Sequence, residues 1–225
     1  MSDAICLLSG GLDSAVLAAH EAQYRVVHPL YVRVGLVWED AEQRMLHHLL
    51  ASPSFAGRLT RLATLDFDIR DVYPPTHWAL GGTPPSYDTP DEDVYLAGRN
   101  LVLLTKAGMI AAARRVPRIV LGSLRNNPFP DATPEFFESM ARTLSLGLNY
   151  RIEIDAPFAA MRKDEVIRTG HTLGVPLEFT LSCINPADGV RPRHCGVCSK
   201  CRERRDAFVA AALPDPTAYV HASPR

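Results

Sequence analysis

Between an apolar run over residues 4–8 and the start of a helical pattern, the chain reads Ser9-Gly10-Gly11-Leu12-Asp13-Ser14. A strand, a tight glycine turn and a helix N-terminus in that order leave several backbone N–H groups unpaired and aimed at one point, where an anion can sit. The glycines suit a turn that needs positive φ or a close backbone approach, since a Cβ would obstruct either. Asp13 and Ser14 are expected to open the helix as cap and first-turn residues favoured by the positive end of its dipole. The string matches neither the dinucleotide fingerprint G-x-G-x-x-G nor the Walker loop ending in Gly-Lys-Ser/Thr. A pyrophosphate is the anion such a turn would hold.

Strand-like and helix-like stretches alternate beyond it. Residues 26–32 read as a second strand, 40–50 as a helix with apolar positions at helical spacing, and 59–65 as a third strand. Asn100 stands before an apolar helix over 101–115 as its expected cap, and 118–121 form a short strand ending in Gly122-Ser123. Pro134 lies in the first turn of a helix reaching 146, 151–154 give a fifth strand, and 163–173 a further helix ended by Gly174. This order predicts an α/β fold: a doubly wound parallel sheet over 1–181, with a small C-terminal zinc-binding segment and terminal helix over 182–225. Ligands of such sheets bind beyond the carboxyl ends of the strands, so the loops after residues 8, 32, 121 and 154 should surround one crevice. Between 66 and 92, Pro74-Pro75, Gly81-Gly82 and Pro84-Pro85 exclude regular structure over most of the stretch. A loop of that length is a lid or binding loop, or else disordered.

With 225 residues, 47% of them hydrophobic, the chain supports one sizeable core and not two full domains. Its net charge of −1 leaves no global field to draw it to nucleic acid or an anionic membrane, so the expected partner is a small molecule. Neither an export signal nor a span of some twenty apolar residues is evident, which makes the cytoplasm the expected compartment. A homodimer is the expected assembly. Of five cysteines, Cys6 lies in the first apolar strand and reads as an inert core residue. Cys183, Cys195, Cys198 and Cys201 form C-x11-C-x2-C-x2-C, four soft ligands with no open position, the donor set of a structural Zn²⁺ site. An iron–sulfur cluster is the competing occupant, and His194 is an alternative ligand. Metal there would fasten residues 182–212 against the sheet.

The six-residue turn resembles the PP-loop, S-G-G-x-D-S, of ATP pyrophosphatases, which cleave ATP between the α and β phosphates and leave an adenylate on the substrate. Together with the cysteine knuckle and the Arg202-x-Arg204-Arg205 that follows it, the chain resembles the 7-cyano-7-deazaguanine synthase family, called QueC or ExsB. The resemblance spans nearly the whole chain. It includes Gly98-Arg99-Asn100, Phe129-Pro130-Asp131 followed by Pro134-Glu135-Phe136, Lys163-x-Glu165, and Leu173-Gly174-Val175-Pro176 leading through Ser182 to Cys183. The chain departs from the family at Arg33-Val34-Gly35-Leu36, where Asp-Tyr-Gly-Gln is typical, at Ala132, where a cysteine often stands, and at Leu124-Arg125-Asn126-Asn127. These differences bear on the acceptor more than on the ATP chemistry.

The resemblance implies a ligase that makes a nitrile from 7-carboxy-7-deazaguanine, ammonia and ATP, first through an adenylated acid and then through an adenylated amide. Both steps need charge neutralised on the α-phosphate and the departing pyrophosphate. The N–H groups of Ser9, Gly10, Gly11, Leu12, Asp13 and Ser14, a Mg²⁺ bridging the phosphates, and the side chains of Lys163 and Arg99 are the candidates. Arg99 has the alternative of a salt bridge anchoring the long loop. Asp131 could accept from N1–H and the exocyclic amine of the deazaguanine, and Phe129 could stack on its ring or simply pack. Asn100 either caps its helix or touches ligand, and Arg33 either meets a phosphate or the substrate acid or stays on the surface. Trp38, Trp78, His47, His48 and His77 read as structural or exposed. Three rivals remain: a PP-loop tRNA-modifying enzyme carrying persulfide, a relative joining the acid to another amine or a protein, and a zinc-ribbon nucleic-acid module using Arg191, Arg193, Lys200, Arg202, Arg204 and Arg205.

Overall fold

The computed structural model describes residues 3–55, 57, 59–125 and 127–224. Asn126, in the divergent 124–127 loop, lies outside the described residues. Five parallel strands form one sheet in the order β3-β2-β1-β4-β5: β1 (Ala4–Leu7), β2 (Val27–Arg33), β3 (Ala63–Asp66), β4 (Arg118–Val120) and β5 (Glu153–Asp155). The helices are α1 (Leu12–Glu21), α2 (Glu39–Leu50), α3 (Arg99–Arg114), α4 (Pro134–Leu148), α5 (Lys163–Thr172) and α6 (Ser199–Ala211). Strand order reverses between β1 and β4, and there the crevice opens.

Alternation along the strands divides the interior into two layers. Ile5, Leu7, Leu30 and Val32 face Leu104, Ala107 and Ala111 of α3 and Phe137 and Leu144 of α4. Cys6, Leu8 and Tyr31 share the other layer with Val16 and Leu17 of α1, Val166 and Ile167 of α5, and Phe208 of α6. Burial pushes the Cys6 thiol well up, so it stays an inert core group. No helix among the described residues is long and apolar enough to cross a membrane.

Several boundaries differ from expectation, β5 for instance starting at Glu153 and not at 151. β3 begins at Ala63, because Leu59 makes only an isolated bridge to Val27 before the chain leaves the sheet. The cap of α1 is Gly11, not Asp13 or Ser14; the Ser14 hydroxyl instead donates back to the Gly11 carbonyl at 3.1 Å. Helix α3 begins two residues early, after Gly98 at φ +80°, so Asn100 is inside its first turn and does not cap it.

The loop between β3 and α3 is folded, with short 3-10 turns at Trp78–Leu80 and Asp91–Val94. Trp38 and Trp78 stack with centroids 5.6 Å apart. The loop is also tied to the C-terminal segment: Ser86 bridges Cys198, Arg202 donates to the Thr89 carbonyl at 3.1 Å, Lys200 pairs with Asp91, and the Tyr87 and Ser223 hydroxyls lie 2.6 Å apart.

Candidate active site

β1 feeds directly into the glycine turn. Gly10 adopts φ +83°, and a Cβ there would lie 3.4 Å from both the Glu42 carbonyl and Leu46, so α2 closes tightly on the loop. Gly122, at the end of β4, would bring a Cβ to 3.2 Å from the backbone of Asp13 and Ser14. The first turn of α1 thus packs against the neighbouring strand end with no room for a side chain. The Ser9 hydroxyl accepts from the Gly11 N–H at 3.2 Å and meets the Ser14 hydroxyl at 3.3 Å, fixing the curl of the loop.

These elements enclose a cavity of about 270 Å³ at the carboxyl ends of β1, β2 and β4. Ser9, Gly11, Asp13 and Ser14 form one side, and Arg99, Asn100, Phe129 and Asp131 are brought to it as well. The long loop contributes Val94, Tyr95 and Leu96, and Tyr95 stacks on Phe129 with centroids 5.1 Å apart. Gly10, Leu12, Arg33 and Lys163 are not in the lining, Leu12 being buried in the core instead. Arg33 lies at the exposed end of β2, within 3.1 Å of Asp40 and 3.8 Å of Asp66.

Lys163 lies behind the loop. Its Nζ donates to Asp13 Oδ2 at 2.9 Å and lies 2.8 Å from Glu203 Oε1, which accounts for a lysine at a helix start where the dipole disfavours it. The two carboxylates hold its pKa well up, while Lys163 and Lys200 overcome burial to hold Glu203 down at about 2. Lys200 also reaches Asp91 at 3.1 Å, so one ladder of ion pairs runs from the glycine turn through α6 to the long loop.

Among the described residues, two buried polar atoms of the lining have no hydrogen-bond partner: Asp13 Oδ1 and Arg99 Nε. A spare carboxylate oxygen and a spare guanidinium N–H in one cavity with a row of loop amides fit a magnesium-bound polyphosphate. Asp131 is engaged differently. It accepts the Asn100 backbone N–H at 3.1 Å and the Asn100 amide at 3.3 Å, and so terminates α3 from a residue 31 positions away. Burial pushes its pKa up, opposed by the Asn100 hydrogen bonds and the Arg99 charge.

Sequence reasoning missed Glu42 and Tyr31. Both line the cavity, and the Tyr31 phenol donates to Glu42 Oε2 at 2.6 Å. Burial pushes Glu42 up to about 7. Nothing in the sequence separated Glu42 from Glu39 and Asp40, since acids early in a helix are favoured by the dipole whatever else they do. A tyrosine in an apolar strand reads as core.

The four C-terminal cysteines converge, with all sulfur atoms within 4.8 Å of one another and nearest pairs 3.5–3.9 Å apart. A tetrahedron with metal–sulfur arms of ~2.3 Å has edges of ~3.8 Å, so the cluster fits zinc. N–H groups of Asn185, Cys195, Gly196 and Val197 point at the sulfurs from 3.2–3.4 Å, as donors stabilising thiolates do. His194 is outside the set, its Nε2 accepting the Ser182 N–H at 3.1 Å in a buried site that holds the ring neutral. Part of the adjoining basic cluster is spent inside the protein, whereas Arg191 and Arg193 stay exposed. Arg204 is fully buried on Thr180, Ser182, Thr217 and the Leu177 carbonyl, while Arg205 donates to the Gly196 and His221 carbonyls beneath Tyr219.

The family profile described as "Queuosine biosynthesis protein QueC" matches residues 3–212. The chain belongs to the QueC family. Relatives named 7-cyano-7-deazaguanine synthase include one from Methanoculleus marisnigri, 34% identical with 97% of this chain and 99% of that protein covered. Another, from Ralstonia nicotianae, is 34% identical over 96% of this chain and 98% of its own length. Among solved structures, a predicted subunit of a tRNA methyltransferase from Methanocaldococcus jannaschii aligns over 88% of this chain and 98% of its own. At a TM-score of 0.42 and 13% identity it adds nothing to the assignment.

Proposed function

We propose that the protein converts 7-carboxy-7-deazaguanine and ammonia to 7-cyano-7-deazaguanine, consuming ATP and releasing AMP and pyrophosphate. The observation that carries this reading is the cavity itself. A polyphosphate cradle with a spare acidic oxygen opens onto a wall made of an aromatic pair and a buried carboxylate.

In this reading the free amides of the 9–14 turn hold the phosphates, and Asp13, through its unpaired Oδ1, would hold Mg²⁺, which would neutralise phosphate charge. Arg99 turns its spare N–H to the α-phosphate or the departing pyrophosphate. Lys163 acts from behind by fixing Asp13. The carboxylate of the substrate attacks the α-phosphorus, forming a mixed anhydride whose leaving group makes attack by ammonia feasible. The resulting amide oxygen is adenylated in turn, and its loss with AMP leaves the nitrile. Phe129 and Tyr95 offer a flat surface for the heterocycle, and Asp131, with Asn100, its polar edge. Arg33 takes no part. Zn²⁺ on Cys183, Cys195, Cys198 and Cys201 serves structure, holding the C-terminal segment of 182–225.

The test is incubation of the full chain with ATP, Mg²⁺, ammonium and the 7-carboxy base, with AMP measured by chromatography and product by mass. A nitrile with AMP supports the reading. Absence of AMP with this acid refutes it, and a product joined to another amine replaces ammonia as the amine donor.

A further inference from the structure

Ammonia arrives at neutral pH as ammonium, which has no lone pair to offer. Some group near the adenylated acid must take a proton before the C–N bond can form. Among the described residues, the cavity lining holds no histidine, cysteine or lysine, and its carboxylates are Asp13, Asp131 and Glu42. Asp13 is ion-paired with Lys163, and Asp131 is committed to the N-terminus of α3. Glu42 has neither engagement. It projects from α2 directly beside the glycine turn, its own backbone carbonyl within 3.4 Å of the space over Gly10.

We propose that Glu42 is the catalytic proton acceptor for ammonium, an assignment that rests on the reaction proposed above. Ammonium gives one proton to the carboxylate. The freed lone pair forms a C–N bond at the acyl carbon while the C–O bond to AMP breaks, its electron pair leaving on the AMP oxygen. The extra N–H proton then passes to solvent, giving the neutral amide.

The surroundings suit this task. Tyr31 from β2 donates to Oε2, the Trp38 indole donates from the residue before α2, Arg99 faces the group from α3, and Glu39 opposes it from the same helix. Burial and Glu39 favour the protonated form, whereas Arg99, Tyr31 and Trp38 favour the anion. The balance leaves a carboxyl that exchanges its proton near neutral pH, where a general base is most effective. The Tyr31 phenol, itself pushed up by burial and by Glu42, stays protonated and keeps the carboxylate oriented.

The experiment compares wild type with Glu42→Gln, which keeps an oxygen for Tyr31. Three rates are read: exchange of pyrophosphate into ATP driven by the 7-carboxy base without ammonia, amide formation from ammonium chloride, and hydroxamate formation from hydroxylamine, which is unprotonated at neutral pH. The expected result is exchange and hydroxamate formation within a few-fold of wild type. The ammonium reaction should fall by about 10²-fold near pH 7 and recover as rising pH supplies free ammonia. Tyr31→Phe provides a second reading, with the midpoint of the ammonium pH profile moved upward. An ammonium rate and pH profile unchanged in Glu42→Gln overturns the assignment, as does equal loss of all three rates with the Tyr31→Phe midpoint unmoved. Absence of exchange in the wild type refutes the substrate reading instead and removes the assignment with it.

Discussion

Glu203→Gln removes one charge from the ladder behind the glycine turn. Lys163 lies 2.9 Å from Asp13 and 2.8 Å from Glu203, and the other oxygen of Glu203 is 2.9 Å from Lys200. The two lysines hold Glu203 at about 2 in the folded protein, against an ordinary 4.5. At about 1.4 kcal/mol per pH unit that difference sets a ceiling of about 3.5 kcal/mol. Glu203 keeps 27% of its side-chain surface in solvent, so screening brings the expected loss to about 2 kcal/mol. Because the folded pKa is depressed, the stabilisation is present above the unfolded value near 4.5 and disappears as pH falls towards 2. Urea unfolding of wild type and variant at a series of pH values measures it. The variant should be about 2 kcal/mol weaker near pH 7, with the gap narrowing steadily below pH 4.5. A gap that is the same at pH 3 and pH 7 would show that the loss is one of packing, and the electrostatic reasoning would be wrong.

Glu42 gives the opposite sign: its folded pKa is raised from 4.5 to about 7, so the associated stability is full below 4.5 and lost as pH rises through 7. Glu42→Gln should therefore unfold later than wild type near pH 8, by at most about 3.5 kcal/mol, and match it near pH 4 in the same titration. Arg99→Ala should retain the fold yet lower AMP release by about 10²-fold, as loss of one donor to a developing oxyanion does; steady-state kinetics with circular dichroism would check both. Elemental analysis should find about one zinc per chain, and chelation should lower the melting temperature while exposing the 84–92 segment to protease. Protein that loses zinc without either effect would contradict the structural role given to the knuckle.

The sheet was legible because the central strands β1, β2 and β4 are largely apolar and run on into Gly10, Gly35 and Gly122, and the glycine turn located its ligand-binding edge. The cysteine spacing likewise anticipated a converged cluster. What escaped was non-local. Asn100 looked like a cap because the residue that terminates α3, Asp131, lies 31 positions downstream and is joined to it only by the fold. Lys163 was placed on the phosphates by its charge and its position at a helix start, whereas the structure gives it two carboxylates, one of them 40 residues later. Arg202, Arg204 and Arg205 read as a basic patch because sequence shows charge and not direction; the fold turns Arg204 wholly inward. Glu42 and Tyr31 are ordinary in their elements and become a pair only when α2 lies across the end of β2.

The tether between the 84–91 stretch and the knuckle fixes an order of events in biogenesis. Ser86, Tyr87, Thr89 and Asp91 find their partners at Cys198, Ser223, Arg202 and Lys200, more than a hundred positions downstream. A growing chain can assemble the sheet before those partners leave the ribosome, but the ties from Ser86, Tyr87, Thr89 and Asp91 cannot form until the last quarter is made. The cavity wall that this loop supplies is therefore braced last, by the C-terminal segment that carries the four cysteines.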